Sequence, residues 1–221
     1  IKRRFVEGYL MQKLFEVYVM NDQELSMLEN RELCESMLAL LPLYDVVIVV
    51  DYGHGMLVKE AIDLLCDQSR FLVVNAQANA GNRGFNSVSK YSRADYICIA
   101  NHEIRLDARD RDGDLRRIML DMARKLDCER LVVTQGKQGC ICYHRDDGFF
   151  EVPAFANQVV DRIGIGDAFL SISSLYAAQG APIEMLGFVG NVVGAEAVAT
   201  VCNSTPIERV SLSKHIVSLL K

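Results

Sequence analysis

Basic residues are not in surplus in this chain: 24 Lys and Arg stand against 29 Asp and Glu, a net charge of −5. A nucleic-acid partner, which needs a basic face, is therefore not expected. The seven cysteines include no CxxC pair and no Cys/His spacing suited to zinc. Only Cys140 and Cys142 are close in sequence, and a CxC on a strand puts both thiols on one face. Buried, reduced thiols in a cytoplasmic protein are the plain reading. No signal-peptide pattern, internal repeat or low-complexity tract is recognised. The apolar stretch 182–201 approaches bilayer-spanning length, with Gly187, Gly190 and Gly194 at close-packing spacing. Glu184, Asn191 and Glu196 interrupt it, so a buried helix packed on a neighbour is expected rather than a membrane span. Two nucleotide signatures are also missing: GxxxxGK[ST] is absent, and GxGxxG fails at Phe169.

What remains is a chain of 221 residues, half of them hydrophobic, enough for one sizeable core. Residues 4–6 and 14–19 read as two short strands pairing across a turn near Gly8. Asn21 or Asp22 can cap a helix reaching about Leu41. The β-branched run 45–51 suits a strand buried on both faces of a parallel sheet. A helix over 59–67 and strands at 71–74 and 96–99 follow. Residues 114–126 place Leu115, Ile118, Met119, Met122, Ala123 and Leu126 at helical spacing. A strand at 131–134, a hairpin pairing 140–143 with 149–152 around Asp146-Asp147-Gly148, and helices over 166–179, 182–201 and 211–220 complete the pattern. Alternating strands and helices define an α/β fold with a largely parallel sheet, read as a single domain over 1–221. The chain opens at Ile1 in charged, strand-like sequence and is expected to belong to a longer protein.

The stretch Asp161-Arg162-Ile163-Gly164-Ile165-Gly166-Asp167 is a glycine-rich turn running into a helix. Its glycines let backbone N–H groups approach a ligand unscreened by Cβ atoms, and the helix start adds orphan N–H donors and a positive dipole end. That combination favours phosphate. Asp167 cannot bind phosphate, and the physical role for a carboxylate there is a general base beside a transferring phosphoryl group. An ordinary loop with an Asp cap is the plainer alternative. Val132-Val133-Thr134-Gln135-Gly136-Lys137-Gln138-Gly139 is a strand entering a glycine turn, which taken alone is a simple strand exit. Asn75, at the end of the strand 71–74, falls at the sheet's carboxyl edge, where open α/β folds bind ligands; a polar turn residue is the plainer reading. The stretch 79–85 is rich in Asn and Gly, with Arg83 as an anion contact.

These segments together resemble the ribokinase-like (PfkB) carbohydrate kinases. Asp161, Gly164, Gly166 and Asp167 match the signature written DTxGAGD, while Arg162, Ile163 and Ile165 depart from it. Thr134, Gly136 and Gly139 match VTxGxxG, and the two motifs fall in the family's order. Residues 51–55, Asp-Tyr-Gly-His-Gly, resemble the DYGKG of the family's heptose-phosphate kinases, with His54 in place of lysine. Ala100-Asn101-His102-Glu103-Ile104 corresponds to NxxE in one of two registers: anchoring on Asn101 puts Ile104 at the Glu position, anchoring on Glu103 puts Ala100 at the Asn position, and the second is preferred because magnesium needs a carboxylate.

The resemblance covers residue 2 to the end and implies a ribokinase-like fold without the family's N-terminal third, residues 1–19 being a remnant of its lid or first strands. It implies ATP-dependent phosphorylation of a sugar or sugar phosphate. Asp167 would be the base and the N–H groups of Gly164, Ile165 and Gly166 the anion hole. Thr134, Gly136, Gly139, Asn75 and Asn191 would face ATP, Asp51 the substrate, and Glu103 magnesium through water. A non-catalytic nucleotide-binding or assembly module derived from such a kinase is the alternative, favoured by Arg162, Ile163, Ala100 and His54. The oligomeric state stays open, a homo-oligomer included.

Overall fold

The computed structural model describes residues 1–7, 13–79, 81–82, 84–156, 159–200 and 204–221. The Gly8 turn and Arg83 lie outside them. β1 (Lys2–Val6) and β2 (Lys13–Tyr18) pair antiparallel as a separate ribbon. The main sheet has the order β3-β4-β5-β6-β7-β8. β3 (Val47–Asp51), β4 (Leu72–Ala76), β5 (Tyr96–Ala100) and β6 (Arg130–Thr134) are parallel. β7 (Cys140–His144) and β8 (Gly148–Val152) close the sheet as an antiparallel hairpin. This is an α/β architecture with a mostly parallel sheet, as expected.

Helices cover both faces, which is why the strand sequences read as continuous apolar runs. Successive side chains point to opposite faces. Leu72, Val74, Ile97, Ile99, Leu131 and Val133 pack with Ile62 and Leu65 of α2 (Lys59–Gln68), Ile104 of α3 (Asn101–Ala108), and Ile118, Met119 and Met122 of α4 (Leu115–Lys125). Val73, Tyr96, Cys98, Val132, Cys140 and Cys142 pack on the other face with Phe169 and Leu170 of α5 (Ile165–Ala178) and Ile183 and Leu186 of α6 (Ile183–Val198). Cys140 and Cys142 do share one face, their Sγ atoms 3.7 Å apart. Cys98 lies on that face too, and burial pushes its thiol up to about 12.

The glycines of α6 act as expected for close packing. A Cβ on Gly190 would come 2.4 Å from the Phe169 ring, and one on Gly187 would come 2.5 Å from Cys142 Sγ. Among the described residues no helix is long and apolar enough to cross a membrane. α7 (Arg209–Leu219) follows α6 and is tied to it by His215 Nδ1, 2.6 Å from Glu196 Oε1.

Two expectations need correction. The first large helix, α1 (Met27–Leu40), starts at Ser26 rather than at Asn21 or Asp22. Glu29 accepts from the Ser26 N–H and the Ser26 hydroxyl accepts from the Glu29 N–H; this reciprocal pair fixes the start more firmly than a lone Asx side chain. β3 is not buried on both faces. Among the described residues it is the end strand of the sheet, with Ile48 39% exposed, and the run 45–51 by itself does not say which strands flank it.

Candidate functional site

The parallel register aligns the strand ends. Asp51 pairs with Ala76, and Ala100 pairs with Thr134. The residues that follow, Tyr52-Gly53, Gln77-Ala78, Asn101 and Gln135-Gly136, therefore leave the sheet along one carboxyl edge. Open α/β sheets bind ligands at this edge.

The start of α5 completes the site. Gly164 adopts φ 77°, ψ 4° as its N-cap, a left-handed conformation that glycine reaches without steric cost. Among the described residues no side chain caps the helix, so the first-turn N–H groups face a ligand or solvent. A Cβ on Gly166 would meet nothing within 4 Å. The protein's own packing therefore does not require glycine there, and the space beside the helix start is open. Gly164, Asp167, Ala168 and Ser171 form one wall of a cleft of about 250 Å³, and Ala197, Thr200, Thr205, Pro206 and Ile207 form the other.

Asp167 stands in the first turn of α5 and faces the strand ends. Gln77 Nε2 donates to its Oδ1 at 3.1 Å. The phenol of Tyr52 lies beside it as well: burial, then the Asp167 charge and a hydrogen bond to that carboxylate, push the Tyr52 ionisation up. The carboxylate thus meets neutral donors from β3 and β4, and no cation pairs with it among the described residues.

The other expected site residues are spread along the same edge. Glu103 sits in the first turn of α3, and its oxygens accept from the backbone N–H groups of Ala78 (2.9 Å) and Ala100 (3.0 Å). It therefore ties the β4 exit to the β5 exit. Asn75 donates its amide to the Cys98 carbonyl at 2.7 Å, and its Oδ1 is buried without a partner. Thr134 ends β6. Gly136 follows with φ 60° and open space where its Cβ would be; Gly139, at φ 90°, packs so closely on Val152 and Pro153 that a Cβ would sit 2.0 Å from the Val152 carbonyl oxygen.

Two residues are turned inward rather than toward a ligand. Asp51 was expected to face substrate, yet it is 5% exposed. Its Oδ1 accepts from the Gly53 N–H at 2.9 Å and the Asn86 amide at 3.4 Å; its Oδ2 accepts from the Tyr91 hydroxyl at 2.8 Å and pairs with Lys90 at 2.5 Å. Four donors saturate a carboxylate. Asn191 was expected beside the nucleotide but is buried, its amide donating to the carbonyls of Val152 (3.1 Å) and Pro153 (3.0 Å). It fastens α6 to the backbone that Gly139 packs against.

Sequence reasoning gave no role to Gln77, Tyr52 or Asn86, and noted Asn79 and Asn82 only as part of the Asn- and Gly-rich stretch 79–85. Their signal was positional: each follows a parallel strand at its carboxyl end. The amides of Asn79 and Asn82 both donate to the Tyr52 carbonyl (2.7 and 2.9 Å), and that of Asn86 donates to the Asp51 carbonyl (2.7 Å).

A family model described as pfkB family carbohydrate kinase matches residues 60–208. The bifunctional protein HldE of Rhodopseudomonas palustris (strain BisB18) is 27% identical over 177 residues, 79% of this chain and 36% of that protein. The HldE of Koribacter versatilis is 30% identical over 185 residues, 82% and 37% of the two chains. The chain spans little more than a third of the length of these curated relatives. Among solved structures, phosphofructokinase-2 from Escherichia coli in complex with substrates and products superposes with a TM-score of 0.77 at 15% identity, over 100% of this chain and 71% of that one. Ribokinase from Thermotoga maritima gives 0.68 at 16% identity, over 98% and 69%. At such identities the structural likeness establishes the fold.

Proposed function

This chain belongs to the pfkB family of carbohydrate kinases, and from that membership we propose that it carries the phosphoryl-transfer site of an ATP-dependent kinase acting on a hydroxyl of a sugar or sugar phosphate. The observation that carries the reading is the start of α5, where open N–H donors and the Asp167 carboxylate share one turn. Phosphoryl transfer asks the protein mainly for positioning and charge stabilisation. The N–H groups of Gly164, Ile165 and Gly166 receive the negative charge of the transferring group. Asp167 takes the proton of the acceptor hydroxyl. Thr134, Gly136 and Gly139 line the nucleotide side, Asn191 holds the backbone behind Gly139, and Asn75 braces β4 against β5.

Glu103 fits a part in holding magnesium. Each of its oxygens accepts one N–H and keeps a second lone pair for a metal-bound water. Magnesium, when bound, neutralises charge on the phosphates. Asp51 supports the site indirectly by fixing the Tyr52-Gly53 turn. The resemblance around residues 51–55 favours a heptose phosphate as acceptor. The cytoplasm is the compartment we propose, in keeping with six free cysteines among the described residues.

The test uses the full-length protein with Mg-ATP and a panel of hexose and heptose phosphates. Asp167→Asn keeps the size of the side chain but removes the base. Turnover of the best acceptor falls about 10²–10⁴-fold, the usual worth of a general base, with ATP affinity kept. A variant as fast as the parent refutes Asp167 as base.

A further inference from the structure

We propose that Gln77 is a positioning residue for the reaction: its amide donates to Asp167 Oδ1 and so orients the carboxylate for the acceptor hydroxyl. This rests on the reading of Asp167 as the base. The contact spans 90 residues of sequence and joins two elements, the exit of β4 and the first turn of α5. No local propensity creates such a contact, and Gln77 has no better reason to reach across the edge.

The surroundings show that Gln77 is itself held. Its N–H donates to the Asp51 carbonyl at 2.8 Å, and its carbonyl accepts from the Asn82 amide at 2.7 Å and the Asn86 amide at 3.3 Å. Asn82 is fixed in turn, because its Oδ1 accepts from the N–H groups of Asn79 (3.1 Å) and Gly84 (3.0 Å). The loop also packs on the β3 exit: a Cβ on Gly53 would come 2.6 Å from Asn86 Cβ. The asparagine-rich stretch therefore works as a scaffold that clamps the Gln77 backbone, so the side chain meets Asp167 at little further entropic cost. The chemistry suits the task. An amide donor orients a carboxylate without neutralising it, whereas a lysine ammonium at the same distance would pair with the base and compete for its proton-accepting oxygen. Orientation matters because transfer requires near-attack geometry, and a small misplacement of a reacting group costs orders of magnitude.

The test compares Gln77→Met, which keeps the length and loses the donor, with Gln77→Glu, which keeps the shape and places a like charge against Asp167. Both are made in the full-length protein and assayed with Mg-ATP and the hexose or heptose phosphate turned over fastest, beside Asp167→Asn. The expected result is a kcat lowered about 10- to 100-fold in both variants, with KM for ATP within about twofold of the parent. Crystal structures of both variants should show the Asp167 carboxylate rotated away from its present orientation. Parental kcat in Gln77→Met, or an unmoved Asp167 carboxylate, overturns the proposal. If Asp167→Asn abolishes turnover while Gln77→Met does not, the base stands and only the role of Gln77 falls. If Asp167→Asn turns over normally, the base assignment falls first and takes this proposal with it.

Discussion

Gly166→Ala should separate the stability of this protein from its chemistry. Gly166 is the second residue of α5 and has no positive φ; a Cβ there would meet nothing within 4 Å. The methyl group therefore strains neither backbone nor packing. Replacing glycine at a compatible position lowers the entropy of the unfolded chain and stabilises by about 0.4–1 kcal/mol. For a chain of this size that corresponds to a rise in Tm of roughly 1–4 °C. The same methyl would stand in the open space that makes the helix start accessible. A phosphoryl oxygen must come within roughly 2.9 Å of the N–H donors to bond them, and a methyl among those donors prevents this. Loss of one such donor slows comparable reactions about 10²–10³-fold. The assays are a thermal melt with and without Mg-ATP and a turnover measurement on the full-length protein. The expected variant melts at or above the parental temperature, loses the Mg-ATP shift and loses turnover. A variant that binds Mg-ATP and turns over like the parent would refute the anion-hole assignment. A variant that melts several degrees lower would refute the claim that the space is open.

Other substitutions probe the fold around the site. Gly190→Ala drives a Cβ to within 2.4 Å of the buried Phe169 ring; overpacking costs about 1–3 kcal/mol and outweighs the helix-propensity gain of about 1 kcal/mol, so the urea midpoint should fall. Asp51→Asn leaves Lys90 without its 2.5 Å partner and should cost about 3 kcal/mol, the low end for a broken buried pair because Lys90 keeps some contact with water, again read as a lower urea midpoint. Tyr96 is fully buried and its ionisation is pushed well above 10 by burial, so the folded state keeps a proton that the unfolded state releases from about pH 10. Its stabilising contribution is complete below that pH and is lost above it. Tyr96→Phe should therefore flatten the alkaline loss of stability, at a cost of about 1 kcal/mol near neutrality for the 2.9 Å bond to Ser173, as followed by denaturation across pH 8–12.

Much of the architecture was legible because it is written in local periods. Continuous apolar strand runs, the spacing of Leu115 to Leu126 and the glycines of α6 all report contacts with a neighbour whose identity need not be known. The start of α4 was placed to within a residue by that spacing, and the structure adds the cap, the Asp114 side chain accepting from the Arg116 N–H. The partial exposure of β3 was not legible from its own residues, since a β-branched run looks the same whatever flanks it. Nor was the first helix start, where Asn21, Asp22 and Ser26 are all competent caps and only the pairing of Ser26 with Glu29 separates them.

The site divides along the same line. Glycines and a carboxylate at fixed spacing announce a helix start open to anions, because a short segment suffices to build it. Asp51 and Asn191 are different. A polar residue at a strand end or on a buried helix reads equally as a ligand contact or as a brace, and which it becomes depends on distant donors: Lys90 and Tyr91 for Asp51, the carbonyls of Val152 and Pro153 for Asn191. With Asp51 and Asn191 so occupied, the side chains that approach Asp167 shift to residues just past the strand ends, Tyr52 after β3 and Gln77 after β4. That shift has a physical origin. A residue paired in the ladder has its side chain directed to one face of the sheet, as Asp51 is toward Tyr91 and Lys90, whereas the next residue has left the ladder and its side chain can reach across to α5. At the β3 exit a single step in sequence therefore separates a bracing carboxylate, Asp51, from the phenol that lies beside Asp167.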